Sequence, residues 1–393
     1  MEPNIQKFDA VLFGGGISGL WTLTQLLEAG YKAILFEKNE LGGMQTIASQ
    51  GIIHGGTKYA LTGKWTKSAD NISSMPGIWN SCLNGKGIID LSDVKVHTKN
   101  QLLWSSNSVI SGLTNFFSTN MMNSKIEKIL SSNYPEPFNS KKFKGVVFKL
   151  NEPVIDPLSL IISLTKKVKN HCFLLSENPS IDKKNNFWSL KLPNGQQIES
   201  QKLILTAGLG NQEILKKIGY KKPKMQTRPL HMLLLKGNLP TLYAHYLGMN
   251  ASPRLTITTS HEEEDTIWYV GGQIAESGVG YSREKLISIG KKELMTALPW
   301  LNFDKLQWAS LQATRAEIKY IKGMRPDNSF VEESDGLVTC WPTKLTLAPN
   351  LAEKVLKFIS SSNIDQIKEK SFKIDLSVPS ISQLPWQREI EWI

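Results

Sequence analysis

The sequence predicts an α/β protein in two interleaved parts, one built on a central parallel sheet and the other rich in antiparallel strands. Three observations predict it. Near the start of the chain a short apolar strand runs into a glycine-rich turn and then an amphipathic helix. Apolar strand segments recur far downstream, at Lys202–Thr206 and Gly336–Cys340, as later strands of a parallel sheet would. Between them lie stretches of alternating strand texture, so the two kinds of segment interleave instead of following one another. This apportions 1–75, 151–225 and 312–375 to the first part, 76–150 and 226–311 to the second, and 376–393 to a tail.

The elements follow in order. Asp9–Phe13 reads as a buried strand, and Ile17–Ala29 as a helix with Ile17, Leu20, Trp21, Leu23 and Leu27 at helical spacing. Gly30 closes that helix, and Ala33–Phe36 forms a second strand ending at Glu37, which completes a β–α–β unit. From about 75 to 150 the texture is Asn, Ser, Lys and aromatics with weak periodicity, read as strands and loops of the second part. Asp156-Pro157 opens a helix over Leu158–Val168. Trp188–Leu192 and Gln197–Glu199 flank the turn Pro193-Asn194-Gly195 as a hairpin, followed by the Lys202–Thr206 strand. His231–Lys236, Arg254–Thr259 and Thr266–Gly271 give a strand-rich region from about 226 to 300. Asn350–Ser360 is helical, with Leu351, Val355 and Phe358 on one face, and the Trp-rich end packs as a tail.

Composition narrows the class. At 40% hydrophobic and 21% charged residues the chain is an ordinary folded protein, which excludes disorder. Apolar runs such as Met232–Leu235 fall far short of the roughly 20 residues of a membrane span. The N-terminus lacks a basic segment followed by an apolar one, and Cys82, Cys172 and Cys340 form neither a disulfide framework nor a metal site; both point to the cytoplasm. The net charge of +11 comes from scattered lysines, as at Lys166–Lys169 and Lys216–Lys224. No nucleic-acid signature accompanies it, so a nucleic-acid partner is disfavoured, while peripheral contact with an anionic inner membrane face stays open.

Gly14-Gly15-Gly16-Ile17-Ser18-Gly19 contains G-x-G-x-x-G directly between strand and helix. Gly14 permits the tight turn, Gly16 lets backbone approach a pyrophosphate, and Gly19 lets helix pack on strand. The helix N-terminus presents free N–H groups to the phosphates. Glu37, 18 residues beyond Gly19, sits where a carboxylate accepts ribose hydroxyls, with Lys38 beside it. Strand, glycines, helix, strand and acid in this order specify a Rossmann-like dinucleotide site containing Gly14, Gly16, Ser18, Gly19, Glu37 and Lys38. The pattern alone does not separate FAD from NAD.

Met44–Leu61 contains Ser49 and then Ile53-His-Gly-Gly56 and Tyr59. It resembles the flavin-contacting loop of the D-amino-acid oxidase superfamily, and especially of FAD-dependent glycerol-3-phosphate dehydrogenases. Leu205-Thr-Ala-Gly-Leu-Gly210, Gly323-Met-Arg-Pro-Asp327 and Trp341-Pro-Thr-Lys-Leu-Thr-Leu-Ala-Pro349 are similar to three further elements of that superfamily, in the same order. The resemblance implies FAD, contacted also by Thr46, Ser49, Gly55, Ala207, Gly208, Lys344, Leu345 and Thr346. It implies a catalytic group of His54 as first and Lys58 as second choice of base, Arg325 holding the substrate anion, and Lys344 beside the flavin. Tyr59, Arg228 and His231 are candidate substrate-cavity residues. Lys58 departs from the arginine typical of the glycerol-phosphate enzymes and lacks its bidentate fork. The function implied is dehydrogenation of a small anionic organic substrate, glycerol-phosphate-like or 2-hydroxy-acid-like, by hydride transfer to flavin N5. An amine or amino-acid oxidase is the alternative, a flavoprotein without turnover is a further one, and the electron acceptor, quinone or O2, stays open.

Overall fold

Strand β1 (Gln6–Phe13) is buried from Phe8 onward because it lies at the centre of a sheet covered on both faces. The computed structural model describes residues 5–56, 67–106, 126–248, 253–320, 326, 328–360 and 372–393. β1 pairs in parallel with β2 (Ala33–Glu37) on one side and with Gln197–Leu205 on the other. Cys172–Leu174 and Leu337–Trp341 extend the parallel sheet outward, and short antiparallel strands finish it. Helix α1 (Ile17–Glu28), Pro157–Val168 and Ala348–Ser360 share one core on this sheet, which includes Leu20, Leu164 and Val355. Asp156 caps the Pro157–Val168 helix by accepting from Ser159 N–H at 2.6 Å, so the start read from Asp156-Pro157 is where the helix begins.

The second sheet is mostly antiparallel and runs in the order Gln307–Ile318, Met225–Gly237, Asp265–Gly271, Pro253–Glu262, Ala244–Leu247, Gln101–Ser106, Gly145–Leu150, Ile126–Lys128. Its core holds Trp104, Leu233, Trp268 and Val270, and the helix Arg283–Ala297 packs there through Leu286 and Leu294.

Several sequence expectations need correction. The boundary at 76 cuts the helix Lys67–Leu83, which buries Ile72, Met75 and Trp79 in the first core despite Pro76. The boundary at 312 cuts Gln307–Ile318, whose pairing with Met225–Gly237 keeps it in the second sheet to its end. The strand-rich region after 226 also contains the Arg283–Ala297 helix. Gln197–Leu205 is one continuous strand, not a hairpin arm plus a separate strand: β1 runs along one side of it from Ile198 to Leu205, while its other side pairs first with Phe187–Lys191 and then with Leu337–Trp341.

The tail crosses from one part to the other. Ser380 carbonyl accepts from Leu41 N–H at 2.8 Å, and Leu41 carbonyl accepts from Ser382 N–H at 3.0 Å. Arg388 pairs with Glu40 at 2.8 Å, the Trp386 ring lies 5.7 Å from Tyr269, and Ile393 exchanges both backbone hydrogen bonds with Trp308 in the second sheet.

Candidate functional site

A cavity of about 1190 Å³ opens at the carboxyl ends of the parallel strands, lined there by Phe13, Glu37, Thr206 and Trp341. That is where open α/β sheets place ligands, and the volume exceeds what a drug-sized molecule needs. The second sheet supplies the opposite wall, with Met232, His245, Thr256, Gly271 and Leu311.

The three glycines of the turn do different work. Gly14 has φ +104°, and a Cβ there would stand 2.4 Å from Ala207 Cα. A Cβ on Gly19 would stand 1.9 Å from the Gly14 carbonyl oxygen. Both positions are closed by protein backbone. At Gly16 a Cβ meets only Thr46 Oγ1, at 3.2 Å, and otherwise projects into open space on the cavity wall. Gly16 is also the N-cap of α1 and offers no side chain to the helix's first N–H groups; Thr46 Oγ1 accepts from Ile17 N–H at 3.0 Å. Glu37 accepts from Gly15 N–H at 2.6 Å and from Asn39 N–H at 2.9 Å, which fixes its carboxylate beside the glycine turn with lone pairs to spare. The Ser49 hydroxyl oxygen is buried on this wall and makes no hydrogen bond to any described residue.

An open cradle at Gly16, a fixed carboxylate and an orphaned buried hydroxyl fit a dinucleotide such as FAD. Ser18, Lys38, Ala207, Gly208, Lys344 and Leu345 also line the cavity. Gly19 acts through packing. Gly55 and Thr346 stand behind the wall: Gly55 N–H donates to Glu152, and Thr346 Oγ1 donates to the His54 carbonyl at 3.3 Å.

Two fastenings were not foreseen from the sequence. Asn211 accepts from Ala207 N–H at 2.7 Å and donates to the carbonyls of Cys340 at 2.9 Å and Leu205 at 3.3 Å, tying adjacent strand ends together. Gln50 donates to the carbonyls of Thr256 and Tyr269, and Gln45 accepts from Ala316 N–H, which locks the flavin-type loop onto the second sheet.

At the other end His54 meets partners from distant chain segments. Its Nδ1 lies 3.3 Å from Glu152 Oε2, and the other Glu152 oxygen accepts from Gly55 N–H at 2.8 Å. Glu152 is 3% exposed against 26% for the His54 side chain, so a buried carboxylate backs a ring that reaches the cavity. The His54 ring stacks on His245, centroids 5.9 Å apart and planes at 18°. His245 Nδ1 in turn sits 2.8 Å from Thr256 Oγ1. Lys344 is buried on the wall after Thr343, which holds φ +63° and donates to the Asn328 carbonyl at 3.3 Å. That backbone conformation is uncommon for a β-branched residue and marks a strained turn beside the cavity. Arg315 reaches the cavity from Gln307–Ile318, with Nη2 3.7 Å from Glu276 Oε1. Burial pushes all three cysteine thiols up, Cys172 to about 12, so none is a thiolate nucleophile.

Two predicted substrate residues are placed elsewhere. Arg228 donates through Nε to the buried Glu317 at 2.7 Å and does not line the cavity. His231 is buried, with its two ring nitrogens at the Gly278 carbonyl and Ser310 Oγ, because the side chains of its strand alternate and its own faces away from the cavity wall. Lys58, Tyr59 and Arg325 lie outside the described residues. Glu152, His245 and Arg315 are the site residues the sequence reading missed.

A family model described as FAD dependent oxidoreductase, DAO, matches residues 9–276. A probable FAD-dependent oxidoreductase of Pseudomonas aeruginosa is 37% identical over 389 residues, covering 98% of this chain and 99% of that protein. Its crystal structure superposes with a TM-score of 0.85 at 34% identity, over 98% of this chain and 99% of the other. Glycine oxidase from Geobacillus kaustophilus has a TM-score of 0.67 at 11% identity, over 95% and 100% of the two chains. FAD-bound L-α-glycerophosphate oxidase from Mycoplasma pneumoniae has a TM-score of 0.66 at 14% identity, over 94% and 100%. The last two share the fold alone.

Proposed function

The chain belongs to the DAO family of FAD-dependent oxidoreductases, and from that premise we propose that it dehydrogenates a small anionic substrate at a hydroxyl-bearing carbon, with His54 taking the hydroxyl proton. The observation that carries this reading is the imidazole of His54 on the cavity wall with the buried Glu152 carboxylate at its Nδ1. An ionised Glu152 holds the proton on Nδ1 and puts the lone pair on Nε2. When Nε2 takes a second proton, the carboxylate stabilises the imidazolium in a site of low dielectric. An alcohol gains most from such a base, because its O–H is a far weaker acid than an ammonium N–H. FAD, when bound, supplies the acceptor for the hydride that leaves the substrate carbon. Arg315 and Lys344 give the cavity positive charge against a carboxylate or phosphate, and Arg315 does so with a planar fork.

The test is anaerobic reduction of the bound flavin by a panel of glycerol phosphates, 2-hydroxy acids and amino acids, followed by reoxidation with O2 or a quinone. Hydroxy compounds should bleach the flavin absorbance, and His54→Asn should slow that step by about 10²- to 10⁴-fold, the usual worth of a general base. Bleaching by amino acids alone would move the reaction to a C–N bond.

A further inference from the structure

His54, Glu152 and His245 come from three separate stretches of chain, and one potential ligand atom from each lies within 4.8 Å of the other two. Two imidazoles and a carboxylate make the donor set that binds first-row divalent cations such as zinc or ferrous iron. Ligands at about 2.0–2.1 Å from a tetrahedral zinc stand about 3.3 Å apart. His54 Nδ1 and Glu152 Oε2 already have that separation, 3.3 Å. A ring nitrogen of His245 stands within 4.8 Å of both. The outer support that metal ligands need is also built in. Gly55 N–H holds the second Glu152 oxygen at 2.8 Å, and Thr256 Oγ1 holds His245 Nδ1 at 2.8 Å. Glu152 and His245 are 3% and 6% exposed, so water competes poorly for them.

We propose that this cluster is an inhibitory site for a divalent cation of zinc's class. The cation takes the place of the proton on His54 Nδ1 and engages His245 as third ligand, and the imidazole then carries its one proton on Nε2, by exchange with solvent. With Nε2 protonated, His54 has no lone pair with which to take a proton from substrate. Binding depends only on the cluster; the inhibitory consequence rests on His54 being the base.

Calorimetric titration of the FAD-loaded enzyme with zinc chloride, in a buffer that does not coordinate metal, should find one zinc per chain. Magnesium should not bind, since it takes oxygen ligands and dehydrates reluctantly. Glu152→Gln and His245→Gln should each weaken zinc binding by at least about tenfold. His261→Gln, an exposed histidine outside the cluster, should leave it unchanged. X-ray absorption at the zinc edge of the unmutated enzyme gives a reading independent of how the variants fold, and two imidazoles in the first shell are expected. No zinc binding, binding indifferent to both variants, or a shell without imidazole overturns the site. Zinc bound in the cluster without slowing flavin reduction overturns the inhibition. If metal-free His54→Asn reduces its flavin at the normal rate, the base assignment fails while the zinc site stands on the calorimetry.

Discussion

Gly16→Ala is the substitution that separates binding a cofactor from making a fold. Its backbone sits at φ −73° and ψ −176°, which alanine adopts without strain. The new methyl meets Thr46 Oγ1 at 3.2 Å and nothing else within 4 Å. The apoprotein should therefore lose only about 0.5–1 kcal/mol, the difference between glycine and alanine at an N-cap. In the holoprotein the methyl occupies the space through which the pyrophosphate approaches the start of α1. Losing one or two charge-assisted hydrogen bonds there, at about 1.5–3 kcal/mol each, comes to about 1.5–6 kcal/mol. That is roughly 10- to 20,000-fold in the Kd for FAD. Gly19→Ala is the contrast, because its Cβ would stand 1.9 Å from a backbone oxygen. It should destabilise the apoprotein itself by more than about 3 kcal/mol, the upper end of ordinary overpacking. Quenching of flavin fluorescence during FAD titration measures the first effect, and thermal unfolding of the same apoproteins measures the second. Retention of FAD affinity within about threefold in Gly16→Ala would refute the cradle. So would a Gly19→Ala apoprotein as stable as the parent.

Three further outcomes follow from the geometry. Arg315→Met should raise the apparent Kd of an anionic substrate by about 30-fold or more, the scale of a truncated buried charge pair, with FAD content unchanged; substrate titration of flavin reduction reads it, and unaltered affinity would remove Arg315 from the anion site. Glu152→Gln should slow flavin reduction by about 10- to 100-fold while leaving the flavin spectrum alone, as losing the partner that orients an imidazole does elsewhere; an unchanged rate would make the pair structural. Burial raises the pKa of Asp156, but hydrogen bonds from His97 and Ser159 outweigh it and hold the carboxyl below 3.8. Its stabilising contribution is complete above pH 3.8 and is lost as the pH falls through the lower folded value, so the stability gap between the parent and Asp156→Asn should shrink only in that acid range. A gap that shrinks between pH 6 and 8 instead would contradict the assignment.

The dinucleotide half of the site was legible because its parts are neighbours in the chain. Gly14 through Glu37 span one β–α–β unit, so spacing alone carries the geometry. The chemical half was not legible, because it is made by tertiary contact. Glu152 stands 98 residues from His54, in an Asn-Glu-Pro sequence that matches no motif, and His245 arrives on a strand of the other sheet. The Lys67–Leu83 helix was hidden by Pro76 and by residues such as Asn71, Ser73 and Ser74 with poor helix propensity, and it is held by burial of Ile72, Met75 and Trp79. The Arg283–Ala297 helix did carry a signal: Ser282 caps it, and Leu286, Gly290 and Leu294 recur every four residues. Only the strand character of the surrounding sequence masked it.

The order of the strands in the central sheet has a consequence for how the protein is made. β1 and β2 leave the ribosome well before their later partners, yet Gln197–Leu205 separates β1 from Leu337–Trp341, and the loop at Leu41 is fastened by Ser380 and Ser382. The floor of the cavity is thus laid before the wall carrying Lys344 and the clasp over Leu41, which are synthesised about 300 residues later. A nascent chain of 300 residues displays the glycine turn and Glu37 without an enclosed place to keep a flavin. Cofactor capture therefore waits for Leu337–Trp341 and Ser380–Ser382, and chains terminated ahead of these segments should accumulate colourless even where β1, α1 and β2 have formed.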